Sequence, residues 1–241
     1  MKLIGIFKAP IQGDTRLLPR DIRNYVASII KDDKDIHSII MGHERKQPTF
    51  IFSMPNRKSF GIYTFKNDAK TKAMMGIIKK RIQENPVLKI NGISAEIKEA
   101  FTANYDFTQL EGGLFERRLR TPLIIASAEF EYAICRKLSA DGKVDMSKLK
   151  KYTADKIRET VALMARDWFD KEEEILEVME DTTIMFKDLE YTPIKYKEGQ
   201  YFPAVRGTII CDRNLPLFLG YKSGLGFGEL STIKEMQRRS K

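Results

Sequence analysis

Histidine, cysteine and tryptophan are nearly absent: the 241 residues hold two histidines, two cysteines and one tryptophan. His37, His43, Cys135 and Cys211 make no cluster with metal-ligand spacing, which argues against a structural zinc. Cys135 and Cys211 lie far apart in apolar surroundings. They are expected to be buried free thiols of a reducing cytosol, the alternative being a disulfide. No apolar run approaches the roughly 20 residues of a membrane helix. The opening Met-Lys-Leu-Ile-Gly-Ile-Phe is stopped by Lys8 and reads as a strand, not as a signal peptide. Low-complexity sequence and strong internal repeats are also missing. The expectation is a cytoplasmic protein with no metal, no cofactor and no membrane partner.

What is present is enough apolar sequence for a real core, 42% of residues with 10% aromatic, and a formal charge of +9. The length suits one large domain or two of about 120 residues. Residues 1–112 hold 19 Lys/Arg against 12 Asp/Glu, whereas the remainder holds 23 against 21. A basic balance favours polyanions through long-range attraction and counterion release.

The first half alternates in a definite order. Residues 2–8 read as a strand. Ile22, Tyr25, Val26, Ile29 and Ile30 recur at helical spacing and predict a helix over 20–32. Residues 49–53 and 60–65 read as strands joined by a turn at Pro55-Asn56. Asn67 or Asp68 caps a second helix over 68–84, with Ala73, Met74, Ile77, Ile78 and Ile82 inward and Lys70, Lys72, Lys79, Lys80 and Arg81 outward. Pro86 ends it, and residues 87–97 and 100–107 supply strands or a hairpin. The order is βαββαβ, a ferredoxin-like half.

Glu111-Gly112-Gly113 is the expected joint, giving domains 1–112 and 113–241. Beyond it, 121–133 is strand-like and a long helix covers 147–171, with Leu149, Ile157, Val161, Met164, Ala165 and Trp168 on one face. Residues 175–189, 192–196 and 204–212 are strand candidates, 214–219 is too short for a full helix, and 229–234 is a last strand. The fold class expected is therefore α+β. It comprises two tandem ferredoxin-like (RRM-like) βαββαβ domains, the second with a reduced final helix.

Four glycines, Gly220, Gly224, Gly226 and Gly228, fall within nine positions, with Lys222 and Ser223 among them. Glycines let successive N–H groups turn toward one anion, most often a phosphate. A hairpin turn with close backbone packing would use the same residues. On a basic protein the loop points toward nucleic acid.

The segment Asn214-Leu-Pro-Leu-Phe-Leu-Gly220-Tyr-Lys-Ser-Gly-Leu-Gly226-Phe-Gly228 resembles the C-terminal glycine-rich signature of the CRISPR-associated RAMP superfamily. Within it, the chain is most similar to the repeat-processing endoribonucleases, the Cas six family. His43-Glu-Arg-Lys-Gln-Pro-Thr-Phe-Ile-Phe-Ser53 resembles the stretch in which a histidine precedes a Phe-x-aromatic-Ser strand. Arg120-Thr-Pro-Leu-Ile-Ile125 is similar to the strand opening the second domain. The loop departs from the family pattern in being shorter and in having Tyr221 and Lys222 after Gly220 without a second glycine. The family's tyrosine on the first helix has only Tyr25 as a counterpart, on the apolar face, where core packing is its ordinary reading.

The resemblance implies metal-independent cleavage of CRISPR repeat RNA by 2′-hydroxyl attack, leaving a 2′,3′-cyclic phosphate and a 5′-hydroxyl. That reaction needs a base, an acid and a cation beside the phosphorane. It assigns His43 as general base or acid, with Lys46 and Arg45 as stabilisers. His37, in the apolar run Ile36-His-Ser-Ile-Ile40, is the rival and reads otherwise as a packing residue. RNA contacts are expected from Gly220, Lys222, Ser223, Gly224, Gly226 and Gly228, from Lys79 and Lys80 on the second helix, and from Arg117 and Arg118 near the joint. Arg120, Arg238 and Arg239 are further candidates. Glu172-Glu-Glu174 reads as a solvated helix end and Trp168 as helix packing. Partners implied are CRISPR repeat RNA, other CRISPR effector subunits and a second copy of the chain. Two other readings stay open: a non-catalytic RAMP subunit that holds guide RNA, and a ferredoxin-like protein that binds a small phosphorylated ligand.

Overall fold

Strand β1 (Lys2–Phe7) alternates half-buried and buried positions, placing Leu3, Gly5 and Phe7 inward. It opens the first of two compact units of a computed structural model, Met1–Asp106 with Gly224–Gly226; the second unit is Phe107–Ser223 with Phe227–Lys241. The structure describes residues 1–9, 11, 17–42, 48–66, 68–90, 92–103, 110, 112–127, 144–169, 172–198 and 200–231.

In the first unit, helix α1 (Pro19–Ile29) starts with proline at its first position, where no N–H is needed. The Leu18 N–H donates to Asp21 Oδ2 at 2.8 Å. The helix buries Ile22, Tyr25 and Val26. The expected continuation to residue 32 does not occur. Asp33 instead caps a separate helix α2 (Lys34–Met41), its side chain accepting the Ile36 N–H at 3.1 Å. That helix inserts Ile36 and Ile40 into the core.

Strands β2 (Ile51–Asn56) and β3 (Ser59–Tyr63) form a hairpin turning at residues 57–58, two positions past the expected Pro55-Asn56. The Asn56 Oδ1 accepts the Lys58 N–H at 2.7 Å, which moves the turn beyond the proline. Helix α3 (Ala69–Glu84) is capped by Asp68, which accepts both the N–H and the hydroxyl of Thr71 at 2.8 Å. It buries Thr71, Met74, Met75, Ile78 and Ile82, while Ala73 and Ile77, expected inward, are exposed. The inward stripe follows 71, 74/75, 78 and 82, one position around from the expected face. Strands β4 (Val87–Ile90) and β5 (Ile93–Ala103) close the unit as a hairpin around Gly92, whose φ is 77°.

The sheet order is β2-β3-β1-β5-β4, every neighbour antiparallel. Helices α1, α2 and α3 and this sheet enclose one core that includes Leu3, Phe52, Phe60 and Met75.

In the second unit, β6 (Gly112–Arg118) and β7 (Leu123–Ile124) pair with one edge of β11 (Ala204–Arg213), and β8 (Ile184–Tyr191) pairs with the other. Gly112 and Gly113, the expected joint, are the first residues of β6. A short hairpin, β9 (Ile194–Lys197) and β10 (Gln200–Phe202), lies between β8 and β11. Helix α4 (Met146–Phe169) buries Leu149, Ile157, Val161, Met164 and Ala165, with Trp168 half-buried.

The predicted strand 175–189 is corrected. Its first part belongs to helix α5 (Glu172–Glu180), and only β8 is extended. Ile175, Val178 and Met179 recur at helical spacing, and acidic side chains suit a helix N-terminus. The Arg158 guanidinium closes the far end of α5 by donating to the carbonyls of Met179 at 3.1 Å and Thr182 at 2.9 Å. Among the described residues no helix is long and apolar enough to cross a membrane, and no group of three His, Cys, Asp or Glu could hold a metal ion.

Candidate nucleic-acid interface

After β11 the segment 214–220 is buried without forming a helix. Its shape comes from one arginine. Arg117, on β6, is 6% exposed. Its Nε donates to the Ser231 carbonyl at 2.8 Å, and its Nη1 to the Leu215 carbonyl at 2.5 Å and, at 3.4 Å, to Asn214 Oδ1. Expected as a phosphate contact, Arg117 instead binds both ends of the glycine-rich segment to the sheet. Its fork of donors suits two carbonyls approaching from different chain segments.

Between those ends the chain doubles back. The Leu219 N–H donates to the Gly228 carbonyl at 3.0 Å, and the Leu230 N–H to the Leu217 carbonyl at 2.7 Å. The Tyr221 N–H donates to the Ile124 carbonyl at 3.0 Å and the Gly228 N–H to the Pro122 carbonyl at 2.9 Å. Two of the loop's amides are therefore spent on the fold, and the glycines serve backbone packing as well as any ligand. A Cβ on Gly228, at φ 70°, would fall on the Leu219 carbonyl. Glu229 is 1% exposed, and its carboxylate lies 3.6 Å from Arg120 Nη1. Arg120 therefore faces a buried carboxylate and serves the fold.

The loop's middle differs from its base. Gly224–Gly226 is counted with the first unit. There, a Cβ on Gly224 would lie 3.1 Å from Pro48 Cβ, and one on Gly226, at φ 77°, would lie 2.6 Å from the Phe52 carbonyl. Ser223, an expected RNA contact, is 2% exposed. Lys222 is exposed, sits at a left-handed φ of 60°, and makes no ion pair among the described residues.

The remaining expected contacts are dispersed. On α3, Lys79 is half-buried, and Lys80 is exposed with its Nζ 3.8 Å from Glu84 Oε1. Arg118, on the exposed side of β6, has no ion pair among the described residues. His43, Arg45 and Lys46 lie outside the described residues, as do Asn67, Glu111, Cys135, Arg238 and Arg239. His37 is half-buried in the middle of α2. Tyr25 is core: its hydroxyl donates to the Asn85 carbonyl at 2.5 Å, and burial pushes its pKa far above the usual tyrosine value.

Sequence reasoning missed a cluster on the second unit. Lys156 Nζ sits 5.7 Å from the centre of the Tyr152 ring and 2.5 Å from Glu159 Oε2. Burial works against the Lys156 ammonium, but Glu159, Tyr221 and Tyr152 outweigh it and raise its pKa. The signal was the i, i+4 spacing of Tyr152 and Lys156 on the predicted helix.

Fold and site define an α+β protein of antiparallel sheets that carries a structured glycine-rich loop with an exposed lysine. No protein-family model and no curated protein sequence matches the chain. Solved structures do. A Cas6b crystal structure aligns over 97% of this chain and 100% of its own, with TM-score 0.68 at 17% identity. A Cas6-related protein from Pyrococcus furiosus aligns over 98% and 99%, with TM-score 0.59 at 15% identity. A RAMP protein described as binding different RNA substrates aligns over 97% and 99%, with TM-score 0.58 at 15% identity. The chain has the fold of these Cas6 and RAMP proteins.

Proposed function

We propose that the protein is a Cas6-type endoribonuclease of two tandem ferredoxin-like domains, 1–112 and 113–241, that binds CRISPR repeat RNA and cleaves it without a metal ion. One observation carries this reading. The tip of the glycine loop, Gly224–Gly226, packs on Pro48 and on the Phe52 carbonyl of β2. His43-Glu-Arg-Lys-Gln immediately precedes Pro48 in the chain. Within the first unit, Gly224–Gly226 therefore neighbour Pro48, which follows the candidate proton-transfer residue by five positions in the sequence. The strand order β2-β3-β1-β5, with helices sharing one core with the sheet, supports a ferredoxin-like unit with β4 added at its edge. A Cas6 structure is described as a product complex.

In the reaction, His43 takes the proton from a 2′-hydroxyl or delivers one to the leaving oxygen. The 2′-oxygen bonds to phosphorus as the bond from phosphorus to the 5′-oxygen breaks. The products are a 2′,3′-cyclic phosphate and a 5′-hydroxyl. Lys46 and Arg45 stabilise the charge on the phosphorane. Lys222, the loop's backbone, Arg118 and the lysines of α3 hold the strand.

The test uses repeat RNA from the CRISPR array of the same genome, incubated with the protein in EDTA. Cleavage with a cyclic-phosphate end is expected. His43→Ala should abolish it while leaving binding intact, and a 2′-deoxy substitution at the cut should do the same. Cleavage that required Mg²⁺ would overturn the mechanism. The second reading is a non-cutting guide-RNA subunit, with which RNA binding by a RAMP neighbour is equally compatible. Tight repeat binding with no cleavage of any repeat selects it.

A further inference from the structure

The glycine loop departs from a plain phosphate nest at Tyr221 and Lys222. Its other residues apart from Lys222 are buried or half-buried, yet Tyr221 is 42% exposed. Its backbone is held by the bond to the Ile124 carbonyl and stands between two left-handed residues, Gly220 at φ 74° and Lys222 at φ 60°. A lysine in that conformation costs about 1 kcal/mol that glycine would avoid. The strain holds an ammonium at the loop's surface. Its Nζ lies 6.0 Å from the centre of the Phe202 ring.

The same unit carries a second basic-aromatic pair. On α4, Lys156 Nζ lies 5.7 Å from the centre of the Tyr152 ring, and Tyr221 is among the groups that raise the Lys156 pKa. Lys156 is already neutralised by Glu159, whereas Lys222 is not neutralised by any described residue. An exposed ring on a hydrogen-bonded backbone, next to a cation with no ion pair among the described residues, matches a single nucleotide. The ring offers a face to any base, and the cation meets the flanking phosphate. A folded protein partner would gain little from a single ring set among charges.

We propose that Tyr221 is a stacking platform for one unpaired nucleobase of bound RNA, with Lys222 on the adjacent phosphate. The subsite rests on the reading of the protein as an RNA binder and adds single-strand recognition to it.

The experiment measures binding of the full chain to oligo(A) and oligo(U) of about a dozen nucleotides across a salt series. A second RNA set carries 2-aminopurine to report stacking. Tyr221→Leu should weaken binding about 5- to 100-fold and lose the 2-aminopurine quenching, with the salt slope unchanged. Tyr221→Phe should bind as the wild type does. Lys222→Asn, which tolerates the left-handed backbone, should lower the salt slope by about 0.7. Thermal melts should fall in none of the three, since both side chains are exposed and asparagine relieves the left-handed strain at 222. If the wild type binds RNA and Tyr221→Leu binds and quenches equally well, the subsite is overturned and the functional reading stands. Equal losses in Tyr221→Phe and Tyr221→Leu would also overturn it, because a hydroxyl contact would then be responsible. Absence of RNA binding by the wild type at low salt would overturn both.

Discussion

Replacing Arg117 by methionine should loosen the glycine-rich segment at both ends. The side chain is almost wholly buried and donates to the carbonyls of Ser231 and Leu215, at 2.8 and 2.5 Å. Hydrogen bonds from a charged donor contribute about 1.5–3 kcal/mol each, and a buried carbonyl left unpaired costs about 1–3 kcal/mol. The two quantities describe overlapping losses and do not add. The expected cost is about 3–5 kcal/mol, the range for breaking a buried charged contact. For a unit of this size that lowers the melting temperature by roughly 10–20 °C. Arg117→Lys keeps one donor direction and should lose about half as much. Arg118→Met, one residue on and exposed, should stay within about 0.5 kcal/mol of wild type. Thermal melts by circular dichroism give the ranking. Hydrogen exchange should show the amides of Leu219, Leu230 and Ser231 losing protection in Arg117→Met. An Arg117→Met protein as stable as wild type, or one no less stable than Arg118→Met, would refute the clamp. Reduced RNA affinity and salt slope at an unchanged melting temperature would instead restore Arg117 as a phosphate contact.

Gly228→Ala and Gly76→Ala should move stability in opposite directions when measured by urea unfolding. The first forces a Cβ onto the Leu219 carbonyl at a left-handed backbone and should cost about 2–4 kcal/mol. The second has nothing within 4 Å, lies inside α3, and should gain about 0.5–1 kcal/mol. Asp68→Ala should cost about 1 kcal/mol at neutral pH through loss of the α3 cap. The hydrogen bonds from Thr71 hold the Asp68 carboxyl below the usual aspartate range. Its stabilisation is therefore complete above the ordinary carboxylate range and fades as pH falls through the depressed native value. A wild-type minus Asp68→Ala difference that did not shrink in acid would sink that assignment. Burial pushes the Cys211 thiol up. In a Cys135→Ser background, a disulfide-exchange reagent should label Cys211 only as fast as the fold opens, and rapid labelling of the native protein would contradict its burial.

The order of strands and helices in the first unit was legible because burial there follows local periods. Leu3 and Phe7 alternate on β1, and Ile22, Tyr25 and Val26 recur along α1. The break between α1 and α2 was also written locally, in Asp33, but the apolar run beyond it concealed the signal. Residues 175–180 are ambiguous for a related reason. A short apolar stretch among glutamates fits strand or helix until its length and partners are known.

The residues alone determined that the chain is basic, lacks Cys and His at metal-ligand spacing, alternates strand and helix, and carries a glycine-rich turn near residue 220. Tertiary structure alone decided what that turn's neighbours do. Arg117 meets Ser231 across 114 positions of sequence and Asn214 across 97. No local pattern records which way such a guanidinium points, because its energy depends on carbonyls supplied by another segment. Only the folded chain separates Arg117, consumed inside, from Arg118, left to solvent. Only the folded chain leaves Tyr221 and Lys222 facing outward from a loop whose other residues are mostly buried.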